Sequence, residues 1–93
     1  MTFTVLDPKD PDASVFYEWD FSRFLGTGET IASYTFPDFP AVLTNVGDSE
    51  SAGVVRMQIA GGVLDERYNL TCRITTNAGQ IEDSTFTLPI EST

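Results

Sequence analysis

Apolar and polar positions alternate along most of the chain, and the clearest run is Arg67 to Thr76. Tyr68, Leu70, Cys72 and Ile74 fall on one side and Asn69, Thr71, Arg73 and Thr75 on the other. That is the period of a strand with one buried and one wet face, and a helix would scatter the same residues around its circumference. Gly61-Gly62 precedes the run and Asn77-Ala78-Gly79 follows it, which bounds it with residues tolerant of positive φ. We therefore expect a central strand here, with Tyr68, Leu70, Cys72 and Ile74 in the core.

The same period recurs on both sides. Thr2 to Leu6 reads as a short first strand, with Phe3 and Val5 on one side, ending at Asp7-Pro8. The prolines and acids of residues 7–12 predict an extended surface loop. Val15, Tyr17, Trp19 and Phe21 alternate through a second strand whose heavier face, with Trp19, should be core. Phe21, Phe24 and Leu25 then switch to the i, i+3, i+4 spacing of one helical turn, capped by Asp20 or Ser22 and stopped at Gly26-Thr27-Gly28.

Glu29 to Phe36 predicts a third strand, with Ala32, Tyr34 and Phe36 on one side and Ile31 on the other. Pro37 and Pro40 imply an edge or a strand-switching corner that leaves Phe39 exposed. Ala41 to Val46 reads as a short strand and Gly47 to Gly53 as a polar turn. Gly53 to Ala60 is another half-buried strand, with Val55, Met57 and Ile59 alternating. After the central run, Asn77 to Gln80 supplies a hairpin loop, and Ile81 to Ile90 returns with Ser84, Phe86, Leu88 and Ile90 on one face. Pro89 argues for an edge position there. About seven short strands and no long helix predict an all-β, two-sheet antiparallel sandwich with one short helical turn.

The 93 residues fit a single domain, 1–93, with a thin core. Fourteen acidic against five basic side chains give a net charge of −9, which repels nucleic-acid phosphate and anionic lipid. We expect neither as a partner, and look for protein or a neutral ligand. No apolar run approaches the roughly 20 residues that cross a bilayer, and the N-terminus lacks a secretory pattern, so production and use without export are expected.

Catalytic chemistry is restricted by inventory. Without histidine, the serines have no base to activate them, and the usual zinc, copper and haem sites cannot be assembled around Cys72 alone. Cys72 reads as a packing residue rather than a reactive thiol. Asp7, Asp10 and Asp12 lack the order of a calcium loop, and Asp65-Glu66 and Glu82-Asp83 read as solvated loop acids in a chain too small to enclose a glycosidase cleft. Asn69-Leu70-Thr71 matches a glycosylation acceptor but lies within a strand. Arg56 and Arg73 are expected on the outer face of neighbouring strands, paired with Glu18 or Glu82 within the fold or, as the alternative, with an acidic partner. No catalytic residue, cofactor or metal is expected.

Two resemblances add to this. Tyr68, at the start of the penultimate strand after a sharp connection, resembles the corner tyrosine of immunoglobulin-like and fibronectin type III-like sandwiches, which implies that its hydroxyl bonds back to the preceding corner. Asp-Pro-Asp at 10–12, Trp19-Asp20 before Ser-Arg-Phe-Leu, Gly28-Glu29-Thr30-Ile31, and the run from Gly61-Gly62 to Ile74-Thr75-Thr76-Asn77-Ala78-Gly79 together resemble small tailed-bacteriophage virion proteins of the fiber-tail adaptor kind. The resemblance leaves out residues 37–51.

It implies a structural protein made in the host cytoplasm and built into the virion, in the tail rather than the head, in several symmetric copies. Its partners would be tail tube, connector or portal, or fiber proteins. Phe3, Val5, Phe39, Val42 and Leu43 are the expected contacts, because they are apolar and weakly tied to the core pattern. A capsid decoration protein, or a carbohydrate-binding module using Tyr17, Trp19, Tyr34 or Phe36, are the alternatives.

Overall fold

The computed structural model describes residues 4–92. Its strands are β1 (Thr4–Val5), β2 (Ser14–Asp20), β3 (Ile31–Thr35), β4 (Leu43–Ser51), β5 (Val54–Gly61), β6 (Arg67–Thr76) and β7 (Ile81–Pro89). They form a four-stranded sheet ordered β1-β7-β6-β3 and a three-stranded sheet ordered β2-β5-β4. All pairings are antiparallel except β1 with β7. This is an immunoglobulin-like arrangement in which the first strand lies beside the last instead of beside the second.

The alternating residues read from the sequence close the sandwich. Val55, Met57 and Ile59 of β5 and Leu70, Cys72 and Ile74 of β6 are fully buried, together with Leu88 and Ile90. Trp19 lies at the centre, its ring stacked on Phe86 at 4.8 Å and tilted against Phe36 at 5.3 Å. Its indole N–H donates to the carbonyl of Leu70 at 3.3 Å, so a strand of one sheet is pinned to a strand of the other.

Lys9 adds a second tie between the sheets. It is buried, 2 % exposed, and its Nζ donates to the carbonyls of Gly61 at 2.8 Å and Asp10 at 2.9 Å. Its backbone meanwhile bridges Pro89 and Glu91.

Several expectations are corrected. The turn at residues 21–25 is the exception and forms as expected, with the N–H groups of Phe24 and Leu25 both donating to Phe21 O. Asp20 Oδ1 does accept from Ser22 N, as a cap would. In β3 a register shift between Ile31 and Ser33 turns Ile31 to the side of Tyr34 and Phe36, against the core, and leaves Ala32 exposed. A bulge of this kind breaks the period of two on which the facing was read.

Residues 47–51 are not a turn but the second half of β4, so only Ala52 and Gly53 connect β4 to β5. β7 is an inner strand despite Pro89, which falls between the last β1 pair, Val5 with Thr87, and the isolated bridge of Lys9 with Ile90. A missing donor there interrupts no paired segment. Arg56 and Arg73 lie on different sheets. Arg73 pairs with Asp83 through Nε at 2.8 Å and Nη2 at 3.0 Å, not with Glu82, and Arg56 stacks over Phe16 at 3.9 Å.

Candidate interaction surface

The chain leaves β5 at Gly61-Gly62 and enters β6 at Arg67 through a sharp corner. Both glycines have positive φ, +85° and +109°. A Cβ on Gly61 would lie 2.9 Å from the carbonyl oxygen of Val42, and one on Gly62 would lie 2.8 Å from the Ile90 side chain. Gly62 N donates to that same Val42 oxygen at 3.3 Å. The bare backbone therefore lets the corner press against Val42 just before β4, and Val63 and Leu64 follow the glycines directly in the chain. Further along, Asp65 N donates to Ile90 O at 2.8 Å and Ile90 N to Glu66 O at 2.9 Å, so the corner is stitched to the end of the chain as well.

Val42, Val63 and Leu64 are 51 %, 48 % and 48 % exposed, three aliphatic side chains on the two segments that this backbone contact joins. Exposed apolar side chains grouped in this way are the usual centre of a protein contact.

Of the contacts expected from sequence, Val42 lies in this group. Val5 is exposed but sits on β1, the outermost strand of the four-stranded sheet. Phe3 lies outside the described residues. Leu43 is corrected: it faces inward, 4 % exposed, as a member of the core. Phe39 is half-buried rather than exposed, packed against the core with its ring edge-on to Phe36 at 6.5 Å. Val63 and Leu64 were missed because residues 63–66 carry no periodic pattern. The glycine pair before them was the available signal.

The described residues offer little reactive chemistry. Among them, no group of three or more acidic or cysteine side chains could hold a metal. Burial pushes the Cys72 thiol up to about 12, which keeps it protonated. Trp19 is buried, and Tyr17, Tyr34 and Phe36 pack against the same core, so the aromatic rings do not form an open platform for a sugar. A groove of about 530 Å³ at Leu25, Glu29, Ile31 and Glu50 has carboxylates already engaged. Glu29 accepts from Gly26 N and Thr76 Oγ1, and Glu50 from Gly53 N.

A comparison with curated proteins gives no match. Residues 9–89 match the model of a family described as podophage GP4 fiber-tail adaptor protein gp77, a span that takes in both sheets and the glycine corner, and the chain belongs to that family.

Proposed function

We propose that this chain, as a structural adaptor of a podophage tail, grips a neighbouring virion protein through the corner formed by Val42, Val63 and Leu64. The observation that carries this reading is the exposure of three aliphatic side chains on a backbone corner clamped by Gly61 and Gly62. Burying a fully exposed side chain of this size is worth about 1.5–3 kcal/mol, and these are half exposed, so each would contribute part of that. The neighbour is a tail tube, connector or fiber protein that presents an apolar pocket. The net charge of −9 favours one with a basic rim, which would speed encounter and fix orientation. Several copies around the tail axis would each make the same contact, with no catalysis and no nucleic acid involved.

The test is a phage carrying Leu64→Asp in this chain. Fiberless particles, together with a purified variant that unfolds at the wild-type temperature, are expected. Particles with a full set of fibers would overturn the assignment of this corner.

A further inference from the structure

The two-sheet frame leaves one strand edge long, regular and unpaired among the described residues. β1 is two residues long, β3 is short and bulged, and β4 is bulged and carries Asp48 and Glu50. Length, bulges and charge are the devices that keep sheet edges from pairing with other chains. β2 is neither short nor bulged, and its two carboxylates, Glu18 and Asp20, sit in its second half. It pairs with β5 through seven unbroken register positions, contains no proline, and carries Val15, Phe16 and Tyr17 together.

Immunoglobulin-like sandwiches place their first strand against this edge. Here β1 lies on the other sheet, and beside the first half of β2 there is instead a groove of about 440 Å³ lined by residues 6–10, two of them aspartates, together with Ala13, Val15 and Tyr17.

The direction of the free backbone groups follows from the ladder. Phe21 N donates to Gly53 O, so the odd-numbered residues of β2 bond toward β5. Ser14, Phe16 and Glu18 then point their N–H and C=O groups outward, since bonded and non-bonded positions alternate along an antiparallel pair.

We infer that β2 pairs with β2 of a second copy, antiparallel about a two-fold axis at Tyr17, joining two three-stranded sheets into one of six strands. In this register the outward-pointing residues bond to one another: Phe16 faces Glu18 of the second copy and Ser14 faces its Asp20. No two carboxylates face each other directly, as they would with a two-fold at Glu18.

The outer face is also charge-matched. Glu18 of the second copy arrives beside Phe16, whose ring already carries the Arg56 guanidinium at 3.9 Å, so a cation waits one strand away. Phe16, 51 % exposed in the single chain, is covered in the process. An isologous contact of this kind repeats every favourable pair twice. The occupant is a second copy because, in this register, β2 faces itself from Ser14 to Asp20 with each carboxylate opposite an uncharged residue and the Arg56 cation of β5 next to the arriving Glu18.

The experiment is sedimentation velocity over a concentration series at physiological salt, where long-range repulsion between two copies of charge −9 is screened beyond about 8 Å. A reversible dimer is expected. Phe16→Glu places carboxylates against Glu18 at both symmetric positions and should weaken it at least about tenfold. Adding Glu18→Lys to that variant reverses the sign at both positions and should restore it.

Amide exchange at Ser14, Phe16 and Glu18 should slow as concentration rises. A chain that stays monomeric throughout, or a dimer indifferent to Phe16→Glu, overturns the inference. The Val42, Val63 and Leu64 corner is not part of this edge, so Leu64→Asp leaves the dimer intact, and the two readings fail separately.

Discussion

The hydroxyl of Tyr68 accepts a hydrogen bond from the backbone N–H of Val63, five residues earlier, at 3.1 Å. The bond spans the β5–β6 corner and holds in place the backbone that presents Val63 and Leu64. Tyr68→Phe keeps the ring packed against the core and removes only this acceptor. A loss of about 1 kcal/mol is expected in urea unfolding, the usual net worth of one such bond. Amide exchange at Val63 should accelerate by more than at any residue of β6.

That bond was expected through the resemblance of Tyr68 to the corner tyrosine of immunoglobulin-like sandwiches, whose hydroxyl bonds back to the preceding corner. The core positions of β5 and β6 were legible in the pattern itself: both strands are flanked by partners on each side, and burial of a single face writes a period of two. β4 was only half legible. Beyond Leu43 its residues stay mostly exposed, and backbone pairing to β5 defines the strand without leaving a hydrophobic signature. Its turn was hidden too, since Ala52 adopts φ 52° where asparagine is the usual signal. The exposed corner was announced only by its glycine pair, because residues 63–66 carry no periodic pattern that would report the facing of Val63 and Leu64.

The glycine corner should be intolerant of side chains. Gly61→Ala and Gly62→Ala each combine an unfavourable φ with a contact under 3.0 Å, to backbone in one case and to a core isoleucine in the other. Each is expected to cost about 1–3 kcal/mol. Gly79→Ala is the control: its φ is +88°, but nothing lies within 4 Å of the added carbon. It should cost about 1 kcal/mol, the backbone term alone. Thermal or urea unfolding of the three variants ranks them.

Stability should fall in acid through a few identified carboxylates. The Arg73 guanidinium lowers the pKa of Asp83, hydrogen bonds from Gly26 N and Thr76 Oγ1 lower that of Glu29, and bonds from Ser22 lower that of Asp20. A carboxyl with a depressed folded-state pKa stabilises the fold above its unfolded value, near pH 4, and loses that contribution as pH falls through the folded one. Asp83→Asn and Glu29→Gln should therefore flatten the drop in melting temperature below about pH 4. At the alkaline end the sign reverses. Tyr34 donates to Asp48 at 2.6 Å, and that bond pushes its phenol up to about 12, so its contribution is present at neutral pH and fades as pH climbs above about 10.

Core burial also predicts two spectroscopic outcomes. Trp19, enclosed by Phe36 and Phe86, should emit in the blue, resist aqueous quenchers and be unchanged by added glycans. Cys72 should react with an alkylating reagent only as fast as the protein unfolds, because its thiol is both buried and protonated. Fast labelling of the native chain would contradict the packing of β6.

Val42 and Leu43 adjoin in sequence yet face opposite environments, so paired substitutions separate fold from attachment. Leu43 packs in the core and touches the space above Gly62, and Leu43→Ala should cost about 2–5 kcal/mol by deleting buried contacts and leaving a cavity. Any loss of fibers in that variant would follow from a depleted folded population and should recover at low temperature. Val42→Asp puts a charge into solvent and should change stability by no more than about 0.5 kcal/mol. If the exposed corner is the grip, Val42→Asp removes fibers at every temperature, because a carboxylate brought against an apolar pocket must be desolvated without a partner. Particle assembly with each variant at two temperatures, scored for fibers beside the unfolding curves, distinguishes a weakened fold from a spoiled contact.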